Sequence, residues 1–89
     1  MPENIKTLSD TTALMLSEDY KERFKAEYYQ TKIRYEKLKA YCNRIEVEEY
    51  TKDRVPHDCP FHMLREQQRA MSEYLRILEL RALIEKIEL

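Results

Sequence analysis

Residues 60–89 read PFHMLREQQRAMSEYLRILELRALIEKIEL, and the apolar spacing in this stretch decides the fold class. Phe61, Leu64, Gln68, Met71, Leu75, Leu78, Ala82 and Leu89 recur at alternating steps of three and four, interrupted only by Glu85. That is the seam of a helix packed along another helix. Pro60 suits the first position of such a helix. Upstream, residues 18–48 contain neither proline nor glycine, and Tyr20, Phe24, Tyr28, Tyr35, Leu38, Cys42 and Ile45 repeat at the same spacing,. Between the two seams, Pro56 and Pro60 break any helix and bias the residues before them toward extended backbone.

The expectation is an all-α chain: a long, coiled-coil-like antiparallel two-helix hairpin over 17–89, with helices over 18–48 and 60–88 and a connection over 49–59. Ser17 reads as the N-cap of the first helix, with Glu18 and Asp19 placing negative charge where the helix dipole favours it. Residues 1–16 carry Pro2, Ser9, Asp10, Thr11 and Thr12, which disfavour a long helix, and read as a flexible or loosely docked N-terminal arm.

Across an antiparallel pair, facing residues have a constant summed number, and here that sum is 106. It sets Phe24 against Ala82, Tyr28 against Leu78, Thr31 against Leu75, Tyr35 against Met71, Leu38 against Gln68, Cys42 against Leu64, and Ile45 against Phe61. The same register brings Glu27 beside Arg81 as a flanking ion pair, worth about 0–1 kcal/mol on a surface.

The second helix carries another apolar line, Ile77, Leu80, Ile84 and Ile87, opposite the seam. At about 1.5–3 kcal/mol for each large aliphatic side chain fully buried, a small domain gains from covering it. Either the arm residues Leu14, Met15 and Leu16 lie over it, or an identical helix does so in a homo-oligomeric bundle.

Composition narrows function. The chain has 89 residues, 37% of them charged, and a net charge of −1. This balance argues against coating of nucleic acid or of an anionic membrane by charge alone. Glycine is absent, which excludes Gly-rich phosphate loops,. The longest apolar run, Ala13 to Leu16, is far short of the roughly 20 residues that span a bilayer. The N-terminus lacks the pattern of a signal peptide, so Cys42 and Cys59 read as reduced, intracellular thiols.

Charge is local. Between Tyr20 and Arg44 stand eight lysines and arginines against three glutamates, interleaved with tyrosines. Cationic groups beside aromatic rings suit an anionic planar ligand, with charge for phosphate and a ring face for a base. The candidate ligand-binding residues are Arg34 and Tyr74, which should flank one layer, with Lys32 and Tyr29 beside them. Lysines on a solvated face and tyrosines in the core are the plainer reading of the same residues.

Cys59 and His62 have the spacing of two metal ligands, and Cys42 and His57 nominally complete a zinc set. Cys42 falls inside the seam, where cysteine behaves as a small apolar residue, so no metal or other cofactor is expected. Cys59 with His57 or His62 is the sole nucleophile and base combination, in a fold that offers no concave pocket, so the chain reads as no enzyme. Glu46, Glu48, Glu49 and Asp53 give the turn an acidic tip, a solvated surface or a mimic of a phosphate backbone toward a basic host protein.

The string Cys59-Pro60, Leu64, Gln67-Gln68, Ala70-Met71, Tyr74-Leu75, Ile77-Leu78, Arg81 and Ile84, with Lys32 to Leu38 on the first helix, resembles a family of small proteins of bacteriophages and prophages. That family is grouped with a gene product of crAss-like phages. The likeness runs from Glu18 to the C-terminus and brings no catalytic motif. It implies a phage-encoded protein of the host cytoplasm that neutralises a bacterial defence. It would do so by inhibiting a host defence protein or by sequestering an anionic nucleotide signal such as a cyclic nucleotide. A structural or nucleic-acid-associated accessory role is the alternative.

Overall fold

The computed structural model describes residues 5–89, and among these there is no strand. A 3-10 turn, Leu8–Thr11, runs into a one-turn helix α1, Thr12–Met15; the long helix α2 is Tyr20–Glu46; a short α3 is Glu48–Thr51; and α4 is Phe61–Glu85. The molecule measures 47 × 24 × 21 Å, close to the length of α2 itself at about 1.5 Å per residue,.

Helix α2 starts two residues later than the sequence suggests. Asp19, in extended backbone, is the cap, and its carboxylate accepts from the Lys21 N–H at 2.9 Å. Ser17 acts one step earlier, accepting from the Asp19 N–H at 3.0 Å and donating to the Glu22 carboxylate. At the other end Val47 interrupts the expected run to residue 48, and α3 closes on Lys52 in the left-handed conformation, φ 67°. The extended connection is tied back by two contacts. Glu48 accepts from the Val55 N–H at 3.0 Å, and the Tyr41 hydroxyl donates to the Pro56 carbonyl.

The long helices lie alongside with opposed directions. The Tyr28 hydroxyl donates to Glu79 at 2.6 Å, the Arg81 guanidinium sits 5.1 Å from the Phe24 ring centroid, and Arg65 reaches Asn43 and Glu46 at the far end. The expected Glu27–Arg81 pair is replaced by a closer partner. Arg81 binds Glu85 one turn along its own helix at 3.0 Å and donates to the Tyr20 hydroxyl at 2.6 Å.

The seam is unevenly buried. Phe24, Tyr28, Tyr29, Leu75, Leu78, Ala82 and Ile87 form one core, with Ile5, Tyr35 and Leu89 packed against it. Cys42, Ile45 and Val55 are buried toward the connection. Between them Thr31, Leu38, Leu64, Gln68 and Met71 stay half-buried, because two helices alone leave the flanks of a layer open,.

Two expectations change here. First, the described part of the arm, expected as flexible or loosely docked, forms a capped turn and a one-turn helix. Asp10 accepts from the Lys6 and Thr7 N–H groups at 2.9 Å each, Thr11 donates to the Leu8 carbonyl, and Thr11 is fully buried. Those backbone bonds hold the Asp10 carboxyl below its ordinary pKa. The residues that oppose a long helix are the ones that build a short capped turn. The turn and α1 pack on α2, with Gln30 donating to Thr11 at 2.9 Å, while Met15 and Leu16 remain exposed. Among the described residues the arm therefore covers the back of α2, and neither its turn nor α1 packs on α4.

Second, helix α4 stops at Glu85, short of residue 88. Lys86 turns left-handed at φ 58°, and the Ile87 N–H donates to the Ala82 carbonyl at 2.8 Å. This is the six-to-one bond of a Schellman ending, in which the residue past the turn packs back on the helix. Ile87 is thereby drawn into the core and leaves the outward line it was assigned to. Leu83, 78% exposed, takes its place there beside Ile77, Leu80 and Ile84.

A left-handed lysine costs about 1 kcal/mol relative to glycine. Lys86→Gly is thus expected to raise the thermal midpoint by about 4–8 °C in calorimetry. An unchanged or lower midpoint would place the strain elsewhere.

Candidate functional site

Helix α2 has two covered faces and an open strip. One face meets α4, the back carries the arm, and the strip between them lies over two adjoining depressions that share Lys32 and Glu36.

The larger depression, about 360 Å³, runs between α2 and α4, lined by Tyr28, Lys32, Tyr35, Glu36, Ser72, Glu73, Leu75, Arg76 and Glu79. Two bases stand against three acids. Arg76 is engaged by Glu73 one turn away, and Glu79 takes the Tyr28 proton donor. Burial, with the Glu79 contact added, pushes the Tyr28 phenol well above its ordinary pKa, so it stays a neutral donor. This groove is satisfied internally and carries a net negative charge.

The second depression, about 300 Å³, lies between the arm and α2, lined by Ile5, Lys6, Tyr29, Lys32, Ile33, Glu36 and Lys37. Three lysines, one glutamate and two isoleucines stand round it with Tyr29. The spacing follows from the helix: Tyr29, Ile33 and Lys37 are one turn apart, with Lys32 and Glu36 beside them. Lys6 comes from the arm, and its backbone is held by Asp10.

Tyr29 is 2% exposed, its ring set edge-on to Tyr28 at 5.1 Å. Its hydroxyl is buried and, among the described residues, has no hydrogen-bond partner. A buried hydroxyl without a partner costs about 1–3 kcal/mol. Burial also raises its pKa, so the group offers a proton and carries no charge.

The four residues singled out from the sequence divide. Lys32 and Tyr29 line the lysine cleft, Tyr29 as a buried wall and not as a stacking platform. The Lys32 ammonium also sits 5.8 Å from the Tyr28 ring centroid, on the ridge between the two depressions. Arg34 and Tyr74 are exposed and line neither depression. Arg34 follows Lys32 by two residues, about 200° round the helix, which turns it to the opposite flank. Lys6, Ile5, Ile33 and Lys37 were missed. The four-residue step from Tyr29 to Ile33 to Lys37 was the available signal for the last two.

The other constellations resolve differently. Cys42 is fully buried in the seam and Cys59 is exposed in the connection; both are free thiols. The His57 Nδ1 lies 2.7 Å from the Cys59 carbonyl oxygen. Among the described residues no three His, Cys, Asp or Glu side chains converge as metal ligands. The acidic tip is mixed in charge: Glu46 pairs with Arg65, Glu48 turns to the Val55 N–H, and Lys52 and Arg54 stand among Glu49 and Asp53. Among the described residues no helix is long and apolar enough to cross a membrane.

A model of the family described as Sequestin matches residues 18–84, from before the cap of α2 almost to the end of α4. Tyr29, Lys32, Ile33, Glu36 and Lys37 lie inside that span, and Ile5 and Lys6 lie before it. No curated protein and no solved structure matches the chain.

Proposed function

We propose, from the premise that this chain belongs to the Sequestin family, that it is a non-enzymatic binding protein that holds an anionic small molecule stoichiometrically in the lysine cleft. The family's name points toward sequestering. The observation that carries the ligand's charge is the lining of the cleft, three lysines to one glutamate beside Ile5, Ile33 and the buried ring of Tyr29. Phosphate suits the ammonium groups, a flat ring suits the isoleucine walls, and about 300 Å³ lies at the small end of ligand sites,. A nucleotide combines those parts. In the phage setting implied by the resemblance of its helices, the molecule held is a nucleotide signal of bacterial defence, and the place is the host cytoplasm.

The test is thermal unfolding with a panel of cyclic and linear nucleotides. A ligand at 100 times its Kd stabilises the folded state by about 2.7 kcal/mol. In a domain this small, that moves the midpoint by more than about 10 °C. Lys32→Glu and Lys37→Glu, both outside the core, should abolish the shift while leaving the ligand-free midpoint nearly in place. A panel without effect, or reversed lysines that still bind, would sink the reading.

A further inference from the structure

The arm is fastened to α2 at successive points. Its pivot is fixed where the Ser17 hydroxyl donates to the Glu22 carboxylate and Arg23 donates to the Ser17 carbonyl at 2.7 Å. Further along, Gln30 donates to the fully buried Thr11 at 2.9 Å. At the far end of the described arm, Ile5 packs against the core and Lys6 lines the cleft that Lys32 and Lys37 line from α2. Lys6 is placed by Asp10, whose carboxylate accepts from both the Lys6 and the Thr7 N–H at 2.9 Å. The turn and α1 pack on α2 and, among the described residues, not on α4, so lifting them leaves the seam between the long helices in place.

We propose, on the reading of the lysine cleft as an anion site, that the arm is a strap that closes on a polyphosphate group, with Lys6 as a ligand-holding residue and Asp10 as its positioning residue. Without a ligand, three lysines share the lining with one glutamate, and among the described residues none of the three is in an ion pair. Like charges in one cleft repel, so Lys6 beside Lys32 and Lys37 works against docking of the arm. A polyanion between them turns the same three charges into a clamp. A polyphosphate spreads its charge over several oxygens, so lysines from both segments find acceptors at once. The arm's lysine contributes only while the arm is docked. Binding and docking are therefore linked, and the ligand draws the arm down by as much as it prefers the docked form. Ile5 and Lys6 lie before the matched residues 18–84, so the strap is supplied by a part of the chain outside that match.

Native-state hydrogen exchange of the full chain, with inorganic pyrophosphate as the probe, tests this. Without pyrophosphate, the Lys6, Thr7 and Asp10 amides should exchange at least about tenfold faster than that of the buried Leu78, because the arm lifts locally,. Saturating pyrophosphate should slow the same arm amides by at least about tenfold. Asp10→Ala, at an exposed position, should keep the helical circular dichroism and bind pyrophosphate about tenfold more weakly, since fewer molecules hold Lys6 in place,. Asp10→Asn, which keeps an acceptor oxygen, should recover most of that affinity. Lys6→Gln should lose it as Asp10→Ala does, and Lys6→Arg should retain it. Arm amides that exchange at the Leu78 rate, or that pyrophosphate leaves unchanged, overturn the strap. Asp10→Ala or Lys6→Gln binding as wild type overturns the role given to that residue. A nucleotide panel without effect, beside a strap that closes on pyrophosphate, sinks the nucleotide reading alone; a nucleotide that binds without slowing the arm amides sinks the strap alone.

Discussion

Tyr29→Phe is expected to stabilise the free protein and weaken its ligand. The substitution removes one atom, the hydroxyl that is buried without a partner among the described residues. It keeps the ring that packs edge-on against Tyr28. Relief of the unmet hydrogen bond is worth about 1–3 kcal/mol, or about 4–8 °C in the thermal midpoint for each kcal/mol. Binding moves the other way. If an acceptor atom of the ligand satisfies the hydroxyl, the Phe variant loses that bond, and its free state no longer carries the penalty that binding relieves. A loss of at least about tenfold in affinity follows, since 1.4 kcal/mol is a factor of ten. Calorimetry of the free variant and titration with the nucleotide found in the panel read the two halves independently. A free midpoint that falls would mean the hydroxyl is satisfied in solution. An unchanged affinity would mean that the ligand does not reach it.

Leu78→Ala is expected to cost about 2–5 kcal/mol, the range for emptying a closed aliphatic site. Leu78 is 0% exposed and sits at the centre of the core that holds Phe24, Tyr28, Ala82 and Ile87. Against a usual stability of about 5–15 kcal/mol that is a large fraction, so the urea midpoint should fall by about 1 M or more. Leu80→Ala, two residues away and 46% exposed, is the control. As a monomer it should lose under about 1 kcal/mol. Equal losses at the two positions would show that the seam is not where the core lies.

Much of the helical layout was legible because it depends on local rules. The absence of proline and glycine over 18–48 permits one long helix, and the three-four spacing of Phe61 to Ala82 marks the buried side of α4. Phe24, Tyr28, Leu75, Leu78 and Ala82 are buried as that spacing requires. The arm was legible only in part: Asp10, Thr11 and Thr12 oppose a long helix and none forms there, but the short turn they make through side-chain bonds to nearby backbone has no signature in propensity,. Ile87 was misplaced because its outward position assumed a helix that continued. A left-handed Lys86 has no signature in a chain without glycine. Half the candidate site was legible, since Lys32 and Tyr29 share a face of one helix. The other half depends on the arm, which brings Ile5 and Lys6 next to residues some 25 to 30 positions later.

By itself the sequence determined the helices, their seams and the concentration of positive charge on the first of them, because these follow from residue type at fixed helical spacing. Which faces are covered was decided only by the tertiary structure. Spacing marks a face as apolar but does not say what lies over it. The arm had two apolar backs to choose from and took that of α2, where Gln30 meets Thr11. With the described part of the arm seated there, the lysine cleft lies between arm and α2, and Ile77, Leu80, Leu83 and Ile84 stay exposed.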